Sequence, residues 1–331
     1  MAIAAFFSDQ PKAIEWVYGG GRKEQIRAEL DFYPAIVSTE TFEQHAPDLK
    51  QLKFIFSTWG MPRLTSEQIG QLPALKVVFY AAGSVQPFAR PFLEAGIQVV
   101  SAWAANALPV SQFVMAQIIL AVKGYFATEL LCRTSAGRIH YVSHYPGVLR
   151  TPVSILGAGM VGSMVIDLLK PLQFNILVFD PYLTNTRAAY LGVQKVSLHA
   201  AFDRGFVISN HIADLPETRQ MISRACFERM QPYATFINTG RGATVDEQGM
   251  LEVMKQRPDL TALLDVTDPE PPTADSPIYN LPNVLLTPHI ASSMGIELYR
   301  QADTVIQDYR RHVNGEVMIY SVTMDMLQTL A

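Results

Sequence analysis

The chain has 331 residues, 49% apolar and 17% charged, so it can bury large cores and two domains are expected. The 26 basic and 30 acidic side chains leave a net charge of −4, and no basic run or stripe offers a footprint for nucleic acid. Cys132 and Cys226 form neither a disulfide framework nor a metal motif and read as small buried apolar residues, in keeping with a cytoplasmic location. The first residues lack a basic n-region, which reads against a secretory leader.

Short apolar runs at 54–56, 77–80 and 99–101 alternate with polar helical patterns, one of them opening over 64–69 with Thr65 or Ser66 as its cap. This alternation predicts an α/β fold with a parallel sheet and helices on both faces. Gly19, Gly20 and Gly21 lack the spacing of a phosphate loop and read as an ordinary turn. The apolar stretch 104–126 is interrupted by Asn106, Pro109, Ser111, Gln112, Gln117 and Lys123. It reads as a buried or interface helix starting after Pro109, because a bilayer span needs ~20 almost uninterrupted apolar residues. In the less periodic stretch that follows, His140 and His144 stand four apart; with no acid between them and Pro146 nearby, no metal site is expected. A second series begins at Thr151, with strands expected at 153–156, 176–179, 206–209, 235–238, 262–266 and 284–287, and a last helical pattern covers 294–313. Six such runs suit a doubly wound sheet.

The first strand of this second series runs directly into Gly157, Ala158, Gly159, Met160, Val161 and Gly162, and a helical pattern follows. Gly157 permits the tight turn, Gly159 lets the backbone approach a pyrophosphate, and Gly162 lets helix and strand pack closely. The phosphates would sit at the helix N-terminus, where free N–H groups and the dipole favour anions. The next strand ends in Asp180, where an acid accepts hydrogen bonds from the adenosine ribose. Pro181 and Tyr182 follow it, with no adjacent cation for a 2′-phosphate, so a Rossmann domain binding NAD(H) rather than its phosphorylated form is predicted.

Arg241, Glu270 and His289 each follow an expected strand and can converge outside the carboxyl ends of one sheet. Their chemistry fits hydride transfer to a 2-oxo acid. Arginine holds a carboxylate bidentately and polarises the adjacent carbonyl. Histidine donates a proton to the developing alkoxide, and a carboxylate beside it orients the ring and balances an imidazolium.

With these motifs, together with 238–242, 245–247, 264–266, Pro271 and 287–290, the chain resembles the D-isomer-specific 2-hydroxyacid dehydrogenases, the group holding the D-3-phosphoglycerate, D-lactate and glyoxylate/hydroxypyruvate enzymes. The resemblance implies Arg241, Glu270 and His289 as catalytic residues. It implies cofactor contacts from the glycine loop, Asp180, His211, Thr218, Thr239, Asp265 (to the nicotinamide carboxamide) and His289. It implies that Ala82, Gly83 and Ser84 present N–H groups to the substrate carboxylate, beside Arg241. Departures are Val85–Gln86 where many members carry an acid, Ala213 where proline is usual, and Gln112 where many have glutamate.

Two doubly wound parallel-sheet lobes follow from the resemblance: a flavodoxin-like substrate domain, 1–103 with 293–331, and the Rossmann domain, 104–292. The site would lie in the cleft between them, and the helix at 104–126 would form a homodimer interface. The implied reaction interconverts a D-2-hydroxy acid and a 2-oxo acid with NAD(H), leaning towards a phosphoglycerate dehydrogenase-like substrate, with a glyoxylate/hydroxypyruvate reductase as the alternative. A non-catalytic NAD(H)-responsive interaction protein on the same fold is the alternative of another class. Formate oxidation fits less well, since Glu270 stands where that chemistry pairs glutamine with histidine. Lys53, Arg63 and Arg90 are the candidate cations for a substrate phosphate.

Overall fold

A computed structural model of the chain describes residues 3–132 and 144–328; His140 lies outside the described residues. The chain forms two compact units, Met1–Asn106 with Ser293–Ala331, and Ala107–Ser292.

The first unit begins with strands β1 (Ala4–Phe7), β2 (Phe32–Val37), β3 (Phe54–Ser57), β4 (Val77–Tyr80) and β5 (Gln98–Ser101). They pair in parallel in the order β2-β1-β3-β4-β5. The side-chain period of two sends alternate residues to opposite faces. Ala5, Phe7 and Ile55 enter one core, and Ala4, Phe6, Phe54 and Phe56 the other. The helix Ser66–Gly70 carries a capping box, Thr65 accepting from the Gln68 N–H and Gln68 from the Thr65 N–H, which settles the cap on Thr65. Neither β1 nor β2 stands out in the sequence. β1 is too short and uniformly apolar to show alternation, and β2 contains Pro34. The sheet places β2 at its edge, where Pro34 is exposed and the register against β1 shifts between Ala4↔Phe32 and Phe6↔Ile36, the position in which a strand tolerates proline.

The second unit contributes β6 (Pro152–Leu156), β7 (Asn175–Phe179), β8 (Gln194–Lys195), β9 (Val207–Asn210), β10 (Thr235–Asn238), β11 (Thr261–Leu264) and β12 (Val284–Leu286). Their order is β12-β11-β10-β9-β6-β7-β8, with every pair parallel. The strand order reverses between β6 and β9, the point at which a doubly wound sheet opens a ligand crevice. Val153, Ile155 and Ile237 fill the core on one face; Leu156, Ile208 and Phe236 fill the other. The chain then returns to the first unit through the helix Leu298–Val313, which supplies Ala302, Val305, Ile306 and Tyr309 to a core there, and β13 (Ser321–Val322) pairs antiparallel with β5.

Two helix expectations are corrected. The apolar helix starts at Trp103, so Pro109 lies inside it rather than before it, and it ends at Val122. Gly124, at φ +72°, breaks the chain there and Tyr125–Leu131 forms a separate helix. A side chain at Gly124 would collide with the Tyr145 ring, so both its backbone angle and its surroundings require glycine. The helix Trp103–Val122 is long and apolar enough to pass for a membrane span by composition, and half of its most apolar stretch is buried.

Candidate active site

The site is built on the loops that follow β6, β9, β10, β11 and β12. Gly157 adopts φ +89° and donates to the Phe179 carbonyl at 2.8 Å. A Cβ at Gly157 would lie 2.8 Å from the His211 carbonyl oxygen, and one at Gly162 would lie 2.0 Å from the Gly157 carbonyl oxygen. A Cβ at Gly159 would meet nothing within 4 Å, so that face of the turn is open. Two glycines therefore close the turn against its neighbours, and the third leaves room before the helix Met160–Leu169. Asp180 reaches back to this turn: one carboxylate oxygen accepts from the Ala158 N–H at 2.7 Å and the other from the Tyr182 N–H at 2.8 Å. Arg187 stands nearby, donating to the Ser163 hydroxyl at 3.4 Å.

The loops after β9 and β10 open with equivalent turns locked together by buried amides. Asn210 accepts from the Ile212 N–H and Asn238 from the Gly240 N–H, each at 3.1 Å. Asn210 donates to the Asn238 side chain at 3.0 Å and to the Thr244 hydroxyl at 2.9 Å. His211 is half-buried, yet its Nδ1 is sealed from solvent and has no partner, while Nε2 meets the Ser209 hydroxyl at 2.9 Å. Burial pushes the imidazole pKa down to about 3, so the ring is neutral. The buried Thr239 hydroxyl likewise has no partner. Orphaned buried polar atoms are costly unless a ligand answers them, so His211, Thr239 and the glycine cradle fit a bound dinucleotide.

Thr218 acts differently. Its hydroxyl accepts from the Leu215 N–H at 2.9 Å and lies 2.6 Å from the Ala213 carbonyl, to which it donates. It clamps its own loop, and its place in the site is through residues 213–215.

Arg241 sits half-buried in the turn after β10, and one of its N–H groups donates to the Gly240 carbonyl at 2.8 Å. No carboxylate among the described residues pairs with it at ion-pair distance. Burial lowers its pKa from the ordinary guanidinium value, and the negative charges of Asp214 and Glu270 oppose that shift. A Cβ at Gly242 would lie 2.0 Å from the Thr267 carbonyl carbon, so the Arg241 turn packs backbone to backbone on the segment leading to Glu270.

The Asp265 side chain is buried and accepts three hydrogen bonds. One oxygen accepts from the Ile290 N–H at 2.8 Å and the Thr287 hydroxyl at 2.7 Å, and the other accepts from the Ala291 N–H at 2.9 Å. It therefore braces the segment carrying His289. A carboxylate has about four lone-pair sites, which leaves one for a carboxamide. His289 adopts φ +54°, a left-handed backbone unusual for a non-glycine residue, and its N–H is held by the Asp265 and Thr287 carbonyls. Strain of this kind persists where the surroundings over-determine it, and it clusters at functional sites. His289 Nδ1 lies 2.6 Å from Glu270 Oε1 with both side chains about half exposed, at 45% and 43%. Glu247 supports the Glu270 loop from behind, accepting from the Asp268 N–H at 3.2 Å.

In the first unit, the Ser101 hydroxyl donates to the Ala82 and Gly83 carbonyls at 2.8 and 2.7 Å. The Gly83 and Ser84 N–H groups have no acceptor among the described residues. Lys53 and Arg63 are exposed, and Arg90 lies 3.9 Å from Glu94. Trp59 packs against both cores of this unit. Sequence reasoning missed Asn210, Thr244 and Asp214. The asparagine gives no periodic signal, but a carboxylate inside the 211–218 loop was visible.

The second unit thus defines an α/β dinucleotide-binding domain carrying a carboxylate–imidazole pair. The description "D-isomer specific 2-hydroxyacid dehydrogenase, NAD binding domain" matches residues 118–291, more than half of the chain. The chain belongs to this family. The D-3-phosphoglycerate dehydrogenase of Methanocaldococcus jannaschii is 29% identical over 268 residues, covering 79% of this chain and 50% of that protein. The chain spans half or less of the length of the curated relatives it matches first. Among solved structures, a phosphoglycerate oxidoreductase from Rhizobium etli superposes with TM-score 0.81 at 17% identity, over 99% of this chain and 100% of that one. An acyclic imino acid reductase in complex with NADPH and D-Arg superposes with TM-score 0.73 at 20% identity, over 96% and 99%. These two likenesses show the fold, two sheet-based α/β units.

Proposed function

We propose that the chain is an NAD-dependent oxidoreductase interconverting a D-2-hydroxy acid and its 2-oxo acid. The observation carrying this reading is the 2.6 Å Glu270–His289 contact beside Arg241, a cation with no ion-pair partner of its own. When bound, the nicotinamide supplies or takes the hydride. The remaining chemistry belongs to the chain. Arg241 binds the substrate carboxylate and polarises the adjacent carbonyl. Glu270 accepts from Nδ1–H of His289, which leaves Nε2 to exchange a proton with the substrate oxygen. In reduction Nε2–H protonates the developing alkoxide; in oxidation the neutral Nε2 accepts the hydroxyl proton. Homodimerisation is part of the proposal, supported by the exposed Leu120 and Tyr125 on and after the apolar helix, and light scattering tests it.

The direct test is NADH oxidation with glyoxylate, hydroxypyruvate, pyruvate and 3-phosphohydroxypyruvate. Turnover of at least one is expected, with His289→Gln slower by about 10²–10⁴-fold. Turnover undiminished in that variant sinks the acid/base assignment. NADH binding with no turnover of any 2-oxo acid would instead favour a non-catalytic interaction protein.

A further inference from the structure

The first unit holds a cluster of donors that the proposed chemistry does not use, and every residue of it lies within that unit. Beside the unpaired Gly83 and Ser84 N–H groups stands Asn106, in the first turn of the helix Trp103–Val122, where the positive end of the helix dipole favours an anion. A Cβ at Gly83 would lie 3.4 Å from Asn106 Nδ2, so the amide nitrogen rests against the Gly83 turn. Proton accounting fixes the direction of that amide. The Ser293 N–H can only donate, and it meets Asn106 Oδ1 at 3.4 Å. That oxygen can only accept, so the Gln301 atom 2.8 Å from it is Nε2. Turning the Asn106 amide over would set its NH₂ against both donors. Asn106 Nδ2 therefore faces Gly83, and it has no acceptor among the described residues. The arrangement leaves a debt in the core. Gln301 is fully buried, and its Oε1 is sealed from solvent without a partner, as is the Ser293 hydroxyl. A buried acceptor left orphaned calls for a reason, and the geometry supplies one: it is the counterpart of holding Nε2 on Asn106.

We infer that Asn106 joins the Gly83 and Ser84 N–H groups as a third donor to the carboxylate of the 2-hydroxy or 2-oxo acid, and that Gln301 is the positioning residue that keeps Asn106 Nδ2 turned towards it. The inference rests on the substrate reading proposed above and adds two residues to it. A hydrogen bond to a charged acceptor corresponds to about 10–100-fold in affinity. The carboxylate keeps its charge throughout hydride transfer, so a contact with it stabilises ground state and transition state alike. Losing such a contact raises KM and leaves kcat almost unchanged. Loss of an acid/base group such as His289 lowers kcat instead.

The test is steady-state reduction, at saturating NADH, of whichever of glyoxylate, hydroxypyruvate, pyruvate and 3-phosphohydroxypyruvate wild type reduces fastest. Fluorescence titration of NADH and urea unfolding accompany it. Asn106→Ala should raise KM by about 10-fold or more, with kcat within about 3-fold. Asn106→Asp keeps acceptors for the Ser293 N–H and Gln301 but turns a carboxylate oxygen to Gly83, and this like charge should raise KM about 10-fold beyond the alanine variant. Gln301→Leu keeps the bulk and removes the orienting donor and the orphaned oxygen together. It should raise KM by about 3–10-fold, with the Kd for NADH and the urea midpoint close to wild type. Unchanged KM in all three variants would overturn the inference and leave the functional reading standing. So would a joint fall in kcat, NADH affinity and urea midpoint at constant KM, which a purely structural role produces. A KM effect confined to the Asn106 variants would overturn the role of Gln301. If wild type reduces none of the four acids, the functional reading fails, and this inference with it.

Discussion

Replacing Asp265 separates bracing from cofactor contact. Asp265→Ala removes the acceptor for the Ile290 N–H, the Ala291 N–H and the Thr287 hydroxyl. Thr287 has a weak second acceptor in the Leu264 carbonyl at 3.5 Å, but the two backbone donors have none. A buried donor left unsatisfied costs about 1–3 kcal/mol, so the alanine variant should lose about 3–5 kcal/mol of unfolding free energy. Asp265→Asn keeps one oxygen and turns an NH₂ group on the remaining donor. Oδ1 serves two donors and Oδ2 one, so the lowest-cost orientation loses only the Ala291 bond, at about 1–2 kcal/mol. His289 sits between these bonds in its left-handed conformation. A shift of about 1 Å in its ring should lower kcat by about 100-fold in the alanine variant. Urea unfolding and steady-state turnover of the same preparations measure both effects. An alanine variant within about 1 kcal/mol of wild type would refute the bracing argument. If it had lost only affinity for NADH, Asp265 would be a cofactor contact and nothing more.

Gly162→Ala places a methyl group 2.0 Å from the Gly157 carbonyl, so the turn and helix must separate; stability should drop by about 1–3 kcal/mol and the Kd for NADH rise at least about 10-fold, measured by fluorescence titration. Asp180→Ala frees the Ala158 and Tyr182 N–H groups and removes the proposed acceptor for the ribose hydroxyls. With Arg187 nearby, NADH should weaken by about 10-fold while NADPH changes little; equal weakening would show that Asp180 only shapes the turn. His211 tests the pH dependence of stability. Its folded-state pKa lies below the unfolded value, so its contribution is fully present above about pH 6.5 and is lost progressively as pH falls towards about 3. His211→Gln should therefore flatten the fall in stability over that window, by at most about 1.4 kcal/mol per pH unit, and parallel curves for variant and wild type would contradict a buried neutral imidazole.

Six strands of the second sheet were legible because they are short, apolar and punctuated by glycine, proline and acidic turns; the edge strand β8, two exposed polar residues, was not. The glycine loop with Asp180, and the three strand-end residues Arg241, Glu270 and His289, are local signals that need no partner to be seen. The strands β1 and β2 were not legible. Their assignment depends on which strand lies beside them, and Pro34 counts against a strand unless that strand is at an edge. The helix around Pro109 was misplaced because proline is an end signal in isolation, whereas here the helix begins six residues before it, at Trp103. Local sequence by itself therefore determined the dinucleotide turn, the alternation of strands and helices, and the candidate residues of the proposed chemistry, Arg241, Glu270 and His289. Tertiary structure alone decided that Asp265 braces the His289 segment and that Asn210 and Asn238 lock two loops together. Each of these is a contact between residues on different loops or strands, or a choice among several acceptors, and such choices are made only when parallel strands bring their carboxyl ends side by side.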